Sequence, residues 1–336
     1  MNSLFRLFLV VVSLLASRVT AADAGPICIR LGTILPSGTA QHSALLAMGE
    51  QWHKVTGGAV KLTLYPDGRL GGEAEMVRKL RIKQINACLL SVVGLAEIDP
   101  GVTGLQLMPL AFETWAEVDF VREKLRTRLE ERLRAKGFEV LFWADAGWVR
   151  FFSTEPAIRP DDFKRMKIFV WAGDQTQMDL MKSLGYHPVP LETTDIMLGL
   201  NTGMINVVPM PPLIALAGQM NLVAPHMLDL RWCPIVGAAV VRHDIWEQIP
   251  AAQREAIRAA AESAGEKMRT RGRVEDDEAV RAMQQRGLQV HAVSPEVRAE
   301  WGKLVEQVYP QLRGNKVPAD IFDAVLANLS SYHAGK

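Results

Sequence analysis

The chain of 336 residues lacks the sequence signatures of the common enzyme classes. It has no HExxH motif, no GxSxG nucleophile elbow, no P-loop, no GxGxxG, and no cysteine and histidine cluster with metal-ligand spacing. Its seven histidines are scattered, and the acidic pair Asp161 and Asp162 precedes a predicted strand, which is typical of a turn. The sequence therefore gives no support for an enzyme or a metal site, although carboxylates from distant segments can still meet in a cleft.

Cysteine is scarce, and charge of neither sign is in excess. Cys28, Cys88 and Cys233 have no CxxC spacing, so at most one disulfide can form. Cys28 and Cys88 begin two candidate strands, and they are either a bridge or two buried free thiols. The 38 basic and 37 acidic residues give a formal net charge of +1. A nearly neutral chain has no electrostatic footprint for nucleic acid or an anionic membrane.

Residues 1–24 have the layout of a secretory signal peptide. An early Arg6 precedes an apolar run over residues 7–16 that is too short to span a bilayer of about 30 Å. Small residues then allow cleavage after Ala21 or Ala24. Since Cys28 is not placed as a lipoprotein cysteine, we expect a soluble exported protein released by cleavage; an uncleaved membrane anchor is the alternative.

The length that remains predicts two domains, because roughly 310 residues exceed what one hydrophobic core usually supports. Strand patterns suggest that the chain crosses between the domains near residue 146 and returns near residue 236. We therefore expect a first lobe of residues 25–145 plus 236–275 and a second lobe of residues 146–235 plus 276–336. Such double crossings are typical of hinged two-lobe proteins.

One stretch, residues 156–212, predicts a strand, a helix, a strand and a second helix with short connections. Units of this kind build parallel sheet and leave binding groups at the carboxyl ends of the strands. Phe169 and Trp171 leave the first strand at that end, and residues 206–212 leave the next, so a crevice is expected there. The predicted elements are a strand Lys167–Trp171, a helix over 174–184, a strand over 188–191, a helix capped by Thr193 or Thr194, and a strand over 204–208.

A long helical pattern runs without proline over residues 251–286. Its middle, residues 269–277, is charged nearly all round. A helix with such a middle is predicted to bridge two lobes across solvent rather than to be buried there.

Several of these motifs resemble the solute-binding proteins of tripartite ATP-independent periplasmic (TRAP) transporters. The resemblance is carried by Lys167-Ile-Phe-Val, Pro188-Val-Pro-Leu, Asp195-Ile-Met-Leu-Gly-Leu-Asn-Thr-Gly-Met-Ile-Asn and Leu70-Gly-Gly-Glu, and it spans almost the whole mature chain. It implies an α/β, two-lobe periplasmic binding protein (Venus-flytrap) fold with a long helix bridging both lobes. It also implies a receptor without cofactor that closes over a small solute and delivers it to membrane permease subunits.

The resemblance also indicates where the solute would bind. In most members an Arg in Lys-Ile-Arg-Val and a later Asn hold a ligand carboxylate, but Phe169 and Met210 occupy those positions here. Neither side chain donates hydrogen bonds, so apolar contact is expected. Many members have a second carboxylate-binding Arg, and its position in the pattern corresponds here to about Trp148. Arg150 is a candidate to replace it, because it lies two residues further on and therefore on the same face of the strand.

The site prediction combines both lobes. Glu73 opens a helix and would face the cleft by resemblance, whereas from the residues alone it is a helix-start acid favoured by the dipole. The predicted ligand-binding residues are Pro36 and Glu73 from the first lobe and Trp148, Arg150, Phe169, Trp171, Asn206 and Met210 from the second.

Two questions of function stay open on the sequence. The solute is either apolar or amphipathic, or a carboxylate anchored by Arg150. With these apolar substitutions the chain resembles the TRAP receptors that have apolar clefts and work with a TPR-repeat lipoprotein. A periplasmic enzyme centred on Glu73 and a ligand-presenting sensor for a membrane kinase are the other functional classes.

Overall fold

The computed structural model describes residues 25–172 and 174–335, so the predicted signal peptide lies outside the described residues. The strands are β1 (Ile27–Thr33), β2 (Val60–Tyr65), β3 (Ala87–Ser91), β4 (Phe138–Trp148), β5 (Arg150–Ser153), β6 (Lys167–Trp171), β7 (His187–Leu191), β8 (Val207–Met210), β9 (His226–Leu228), β10 (Pro234–Arg242) and β11 (Gln289–His291). The helices are α1 (Ala40–Val55), α2 (Glu73–Arg81), α3 (Val92–Ala96), α4 (Trp115–Ala135), α5 (Gln175–Ser183), α6 (Ile196–Asn201), α7 (Pro212–Ala217), α8 (His243–Trp246), α9 (Ala251–Gln284), α10 (Pro295–Leu312) and α11 (Ala319–Ala334). Single 3-10 turns occur at Pro100–Leu105, Pro160–Arg165, Thr193–Asp195 and Met220–Leu222.

The strands form two sheets, one in each lobe. The first has the order β2-β1-β3-β10-β4, with β1 parallel to β2 and β3 and with β10 antiparallel to β3 and β4. The second has the order β11-β9-β5-β8-β6-β7, with β6, β7 and β8 parallel and β5 reversed. Helices pack on both faces of the first sheet. The expected α/β two-lobe architecture with a bridging helix is confirmed.

The predicted strand-helix-strand-helix unit is present in the second sheet. Strand β6 has the predicted bounds, and α5 is capped by Asp174, whose side chain accepts a hydrogen bond from Gln177 N. Two details differ. Neither Thr193 nor Thr194 caps α6: both lie in the 3-10 turn before it, and the N-cap residue is Asp195, which makes no side-chain cap hydrogen bond. The next strand, paired with β5, starts at Val207, three residues later than predicted.

The two segments that connect the lobes are hydrogen-bonded to each other. Val149 N donates to Cys233 O at 2.9 Å, and Trp232 N donates to Val149 O at 3.1 Å. Because β4 leads into β5 here while β10 starts at Pro234, these bonds join the outgoing and returning chains. The connection is therefore a two-stranded hinge.

The long helix α9 crosses from one core to the other. Ile257 and Met268 lie in the core of the first sheet, and Met283 lies in a core of the second. The expectation that its charged middle bridges solvent was wrong. One face is buried, with Gly272 and Asp276 inside and Arg273 paired with Asp119 and Asp145, both at 2.7 Å, while Arg271 and Asp277 on the other face are exposed.

Asp276 ties α9 to both lobes at the hinge. Its carboxylate accepts hydrogen bonds from Trp148 N (3.3 Å) at the end of β4 and from Leu213 N (3.2 Å) at the start of α7. Gly147, next to it, has φ +111°, and a Cβ there would lie 2.5 Å from Asp276 Oδ1, so only glycine fits. Burial raises the pKa of Asp276 to about 6.

Replacing Asp276 with asparagine should change how stability depends on pH. A carboxyl whose folded-state pKa is raised binds its proton more tightly in the folded chain, so its ionisation costs stability as the pH rises from about 4 to about 6. The free energy of unfolding of Asp276→Asn, relative to the wild type, should increase by up to about 3 kcal/mol between acidic and neutral pH. Denaturant titrations across that range measure it. Asp277→Asn, an exposed neighbour, is the control; equal pH profiles for all three proteins would refute the assignment.

The two C-terminal helices connect the lobes a second time. The first half of α10 packs in a second-lobe core through Val297 and Trp301, and its second half packs in a first-lobe core through Val308 and Leu312. Helix α11 then packs against α4 of the first lobe. This differs from the expected division, in which all of residues 276–336 belonged to the second lobe.

The lobes also touch at a distance from the hinge. Lys316, in the α10–α11 loop, forms an ion pair with Asp174, the N-cap of α5 in the second lobe. The Lys316 loop belongs to the first lobe, since its carbonyl accepts a hydrogen bond from Thr103 Oγ1. A Cβ at Gly72 would lie 2.7 Å from Glu192 Oε2, so α2 and the end of β7 are also in contact.

We expect Lys316→Met to favour an open arrangement of the lobes. The substitution leaves Asp174, whose side chain is 5% exposed, without its cation, which removes about 1 kcal/mol or more from lobe contact. Small-angle X-ray scattering of the ligand-free protein should show a larger radius of gyration than the wild type. Arg313→Met is the matched control, because Arg313 pairs with Asp323 on the same side of the cleft. Identical scattering from both variants would argue against the contact.

The three cysteines are free. In the first sheet Cys88 is opposite Gly32, four residues from Cys28, so parallel register keeps the two thiols apart. Cys28 is exposed and Cys88 is buried. Within the described part of the chain, no helix combines the length and apolar character needed to cross a bilayer.

Candidate functional site

A cavity of about 1210 Å³ lies between the two sheets. The carboxyl ends of β1 and β3 reach it from the first lobe, and those of β6 and β8 reach it from the second. Parallel strands end at the same edge of a sheet, so both lobes direct their strand-end loops into this space. The predicted crevice is therefore present in the structure.

Three of the predicted residues form one wall of this cavity. Phe169 and Trp171, two residues apart on β6, lie in a T-shaped contact with ring centroids 5.0 Å apart. Met210, at the end of β8, lines the same space and is nearly buried. All three pack in the core between β8 and α6, so the wall is apolar and held by its neighbours.

Glu73 and Pro36 line the opposite side. Glu73 is the first residue of α2, and its carboxylate accepts hydrogen bonds from Ser91 N and Ser91 Oγ (both 2.6 Å) and from Gly94 N (2.9 Å). The carboxylate thus caps the start of α3 from outside. Burial raises the pKa of Glu73 even though these three donors favour its charged form.

Trp148 and Arg150 do not line the cavity. Trp148 packs in the first-lobe core with its ring 4.8 Å from that of Trp115. The side chain of Arg150 is 5% exposed, and its Nε lies 2.9 Å from Asp229 Oδ1. The partner Asp229 is 79 residues away along the chain, which is why the strand pattern alone gave no sign of it.

Asn206 lies at the other end of the second sheet. It precedes β8, and its backbone N–H donates to Lys167 O at 2.8 Å while its side-chain oxygen accepts from Lys167 N at 3.2 Å. Lys167 is the first residue of β6, so this is the amino edge of the parallel strands. The structure does not bring Asn206 to the predicted wall.

Other cavity residues had no local signal in the sequence. Helix α10 contributes Trp301 and Leu304, and the loop after it contributes Lys316. Cys233 lines the cavity from the returning hinge strand, and burial raises the pKa of its thiol to about 12. In residues 25–172 and 174–335 no three His, Cys, Asp or Glu side chains cluster in a way that could hold a metal ion.

Comparison with known proteins gives relatives along most of the chain. The C4-dicarboxylate-binding periplasmic protein DctP of Rhodobacter capsulatus is 24% identical over 311 residues, covering 91% of this chain and 92% of that protein. The 2,3-diketo-L-gulonate-binding periplasmic protein YiaO of Escherichia coli is 26% identical over 182 residues, covering 53% of this chain and 54% of that protein.

Solved structures share the fold. A TRAP periplasmic solute binding protein of Ralstonia eutropha, with bound (S)-2-acetolactate, superposes with a TM-score of 0.84 at 17% identity, covering 91% of this chain and 100% of that chain. One of Shewanella oneidensis, with bound succinate, has a TM-score of 0.83 at 18% identity over 91% of this chain and 100% of that chain. The model of the bacterial extracellular solute-binding proteins, family 7, matches residues 31–315. The chain belongs to this family, that of the TRAP solute-binding proteins.

Proposed function

We propose that the protein is the periplasmic receptor of a TRAP transporter and that it binds an apolar or amphipathic solute between its lobes. The observation that carries the proposal is the cavity wall of Phe169, Trp171 and Met210. A solute in this cavity touches both lobes, so its binding free energy is linked to lobe closure. The closed form is then the species that membrane permease subunits recognise, and a TPR-repeat lipoprotein is a further proposed partner.

The size and lining of the cavity support an apolar ligand. Small-molecule pockets usually measure about 300–1,000 Å³, and this one, at about 1210 Å³, has room for several rings or a long alkyl chain. The solved relatives hold acids, among them succinate and (S)-2-acetolactate. At the positions where the family resemblance places carboxylate-binding groups, Phe169 and Met210 offer contact but no hydrogen-bond donor.

The alternative of a carboxylate anchored by Arg150 has less support. Arg150 is bound to Asp229 and lies outside the cavity lining. To reach a ligand it would have to leave this partner and move an almost fully buried guanidinium. Because Asp229 is 51% exposed, the cost lies mainly in moving the buried guanidinium out of its packing, and a ligand carboxylate would have to offset that cost.

An enzymatic role also has less support. No histidine is among the described residues that line the cavity, and the Glu73 carboxylate already accepts three hydrogen bonds from Ser91 and Gly94. The Cys233 thiol, with its pKa near 12, is protonated at neutral pH and is a poor nucleophile. Ser91 Oγ lies 2.6 Å from Glu73 Oε2, but the same carboxylate also accepts hydrogen bonds from Ser91 N and Gly94 N, so the pair caps α3 and is not arranged as nucleophile and general base.

Native mass spectrometry of the purified mature protein tests the proposal, followed by denaturing extraction of any retained compound. We expect a lipid-like or aromatic compound. Phe169→Arg should reduce its retention about 100-fold, because the substitution places an unpaired guanidinium in an apolar wall. Phe169→Leu, which keeps the wall apolar, should retain it and controls for folding.

A different result would overturn the apolar assignment. If a small carboxylate is extracted and Arg150→Met loses it while remaining folded by circular dichroism, Arg150 is the anchor after all. Retention of an apolar compound that is equal in Phe169→Arg and in the wild type would place the solute away from this wall.

A further inference from the structure

The charged residues that line the cavity are few and mostly acidic. They are Glu73, Asp145, Asp179 and Lys316. No arginine and no histidine is among the described residues that line it. Which ligand charge the cavity accepts therefore depends on how these four side chains are paired.

Two of the four are neutralised by partners. Lys316 is paired with Asp174, whose side chain is almost fully buried. Asp145 Oδ2 accepts a hydrogen bond from Arg273 at 2.7 Å, and the Asp145 side chain has no exposed surface. The lone cation of the lining is thus occupied in the described structure, and Asp145 is shielded by an arginine behind the wall.

The other two leave the cavity negative. Asp179 is exposed at the rim, where Gln175 Nε2 donates to it at 2.7 Å. Glu73 is bound only by uncharged donors, from Ser91 and Gly94, and no lysine, arginine or histidine of the described chain forms an ion pair with it. In a space with low-dielectric apolar walls, the ionised form of such a carboxylate produces a strong local field; burial opposes this form by raising the pKa of Glu73, and a bound cation would stabilise it.

An anionic ligand meets two costs in such a space. Its charged group loses water without gaining a free cation, and it is repelled by Glu73. A hydroxyl or ammonium group is instead favoured near Glu73, because it donates hydrogen bonds to carboxylate oxygens. An ammonium group would also supply the counter-ion that Glu73 lacks.

We propose that the solute carries no anionic group and that its polar end, a hydroxyl or an ammonium, donates hydrogen bonds towards the Glu73 side of the cavity. This rests on the proposed function, because it assigns the polar end of the solute whose apolar part contacts Phe169, Trp171 and Met210. It separates this receptor from the solved relatives named above, whose bound ligands are acids.

The test uses three probes with one skeleton: 4-phenylbutan-1-ol, 4-phenylbutylamine and 4-phenylbutyrate. The mature protein is first loaded with the neutral fluorophore N-phenyl-1-naphthylamine, and each probe is titrated at neutral pH to displace it. The amine and the carboxylate both carry a charge, so their ratio reports the sign of the field rather than the general cost of burying an ion. We expect the amine to displace the fluorophore at least tenfold more tightly than the carboxylate. The alcohol decides between a hydroxyl and an ammonium solute.

Glu73→Gln identifies the source of the preference. Removing this charge should reduce the amine-to-carboxylate ratio at least threefold and change the constant for the alcohol little. Glu75→Gln is the matched control, because Glu75 lies on the same helix, does not line the cavity and is paired with Arg78. Its ratio should equal that of the wild type. Thermal midpoints of both variants confirm that they are folded.

The outcomes separate the two proposals. If the fluorophore binds and the carboxylate displaces it as tightly as the amine or more tightly, the non-anionic solute is refuted while the apolar cleft stands. An unchanged ratio in folded Glu73→Gln also counts against it. If neither the fluorophore nor any probe binds, the apolar cleft itself fails, and this inference fails with it.

Discussion

The two-lobe arrangement depends on one buried carboxylate at the hinge. Asp276 accepts a backbone N–H from the outgoing strand and another from the start of α7, while its own helix packs along the first sheet. One side chain therefore fixes the long helix, the crossing strand and the second lobe relative to one another. The backbone bonds between Val149 and the Trp232–Cys233 segment then limit the motion that remains to bending.

The sequence predicted those parts of the fold that rest on local patterns. Strand β6, helix α5 and the length of α9 follow from alternation, spacing and punctuation by glycine, and the structure has them where expected. The charged middle of α9 was misjudged because its partners, Asp119 and Asp145, are distant in sequence. Charge pattern along one helix does not reveal that a neighbouring element neutralises it.

The same difference between local patterns and contacts distant in sequence explains which site residues were predicted correctly. Phe169, Trp171 and Met210 follow from strand ends and lie at the cavity. Asn206 was expected at the carboxyl end of this strand. Because β8 starts only at Val207, three residues later than predicted, Asn206 precedes the strand and lies at the opposite, amino edge of the sheet. Arg150 and Lys316 depend on pairing with Asp229 and Asp174, and neither pairing has a signature in the sequence.

The residues that form the apolar wall are separate from those that hold the hinge. Phe169 and Met210 lie towards the carboxyl ends of β6 and β8, whereas Asp276 is bonded to Trp148 and Leu213. A change of the wall residues can therefore alter which solute fits the cavity while the hydrogen bonds that hold the hinge stay the same.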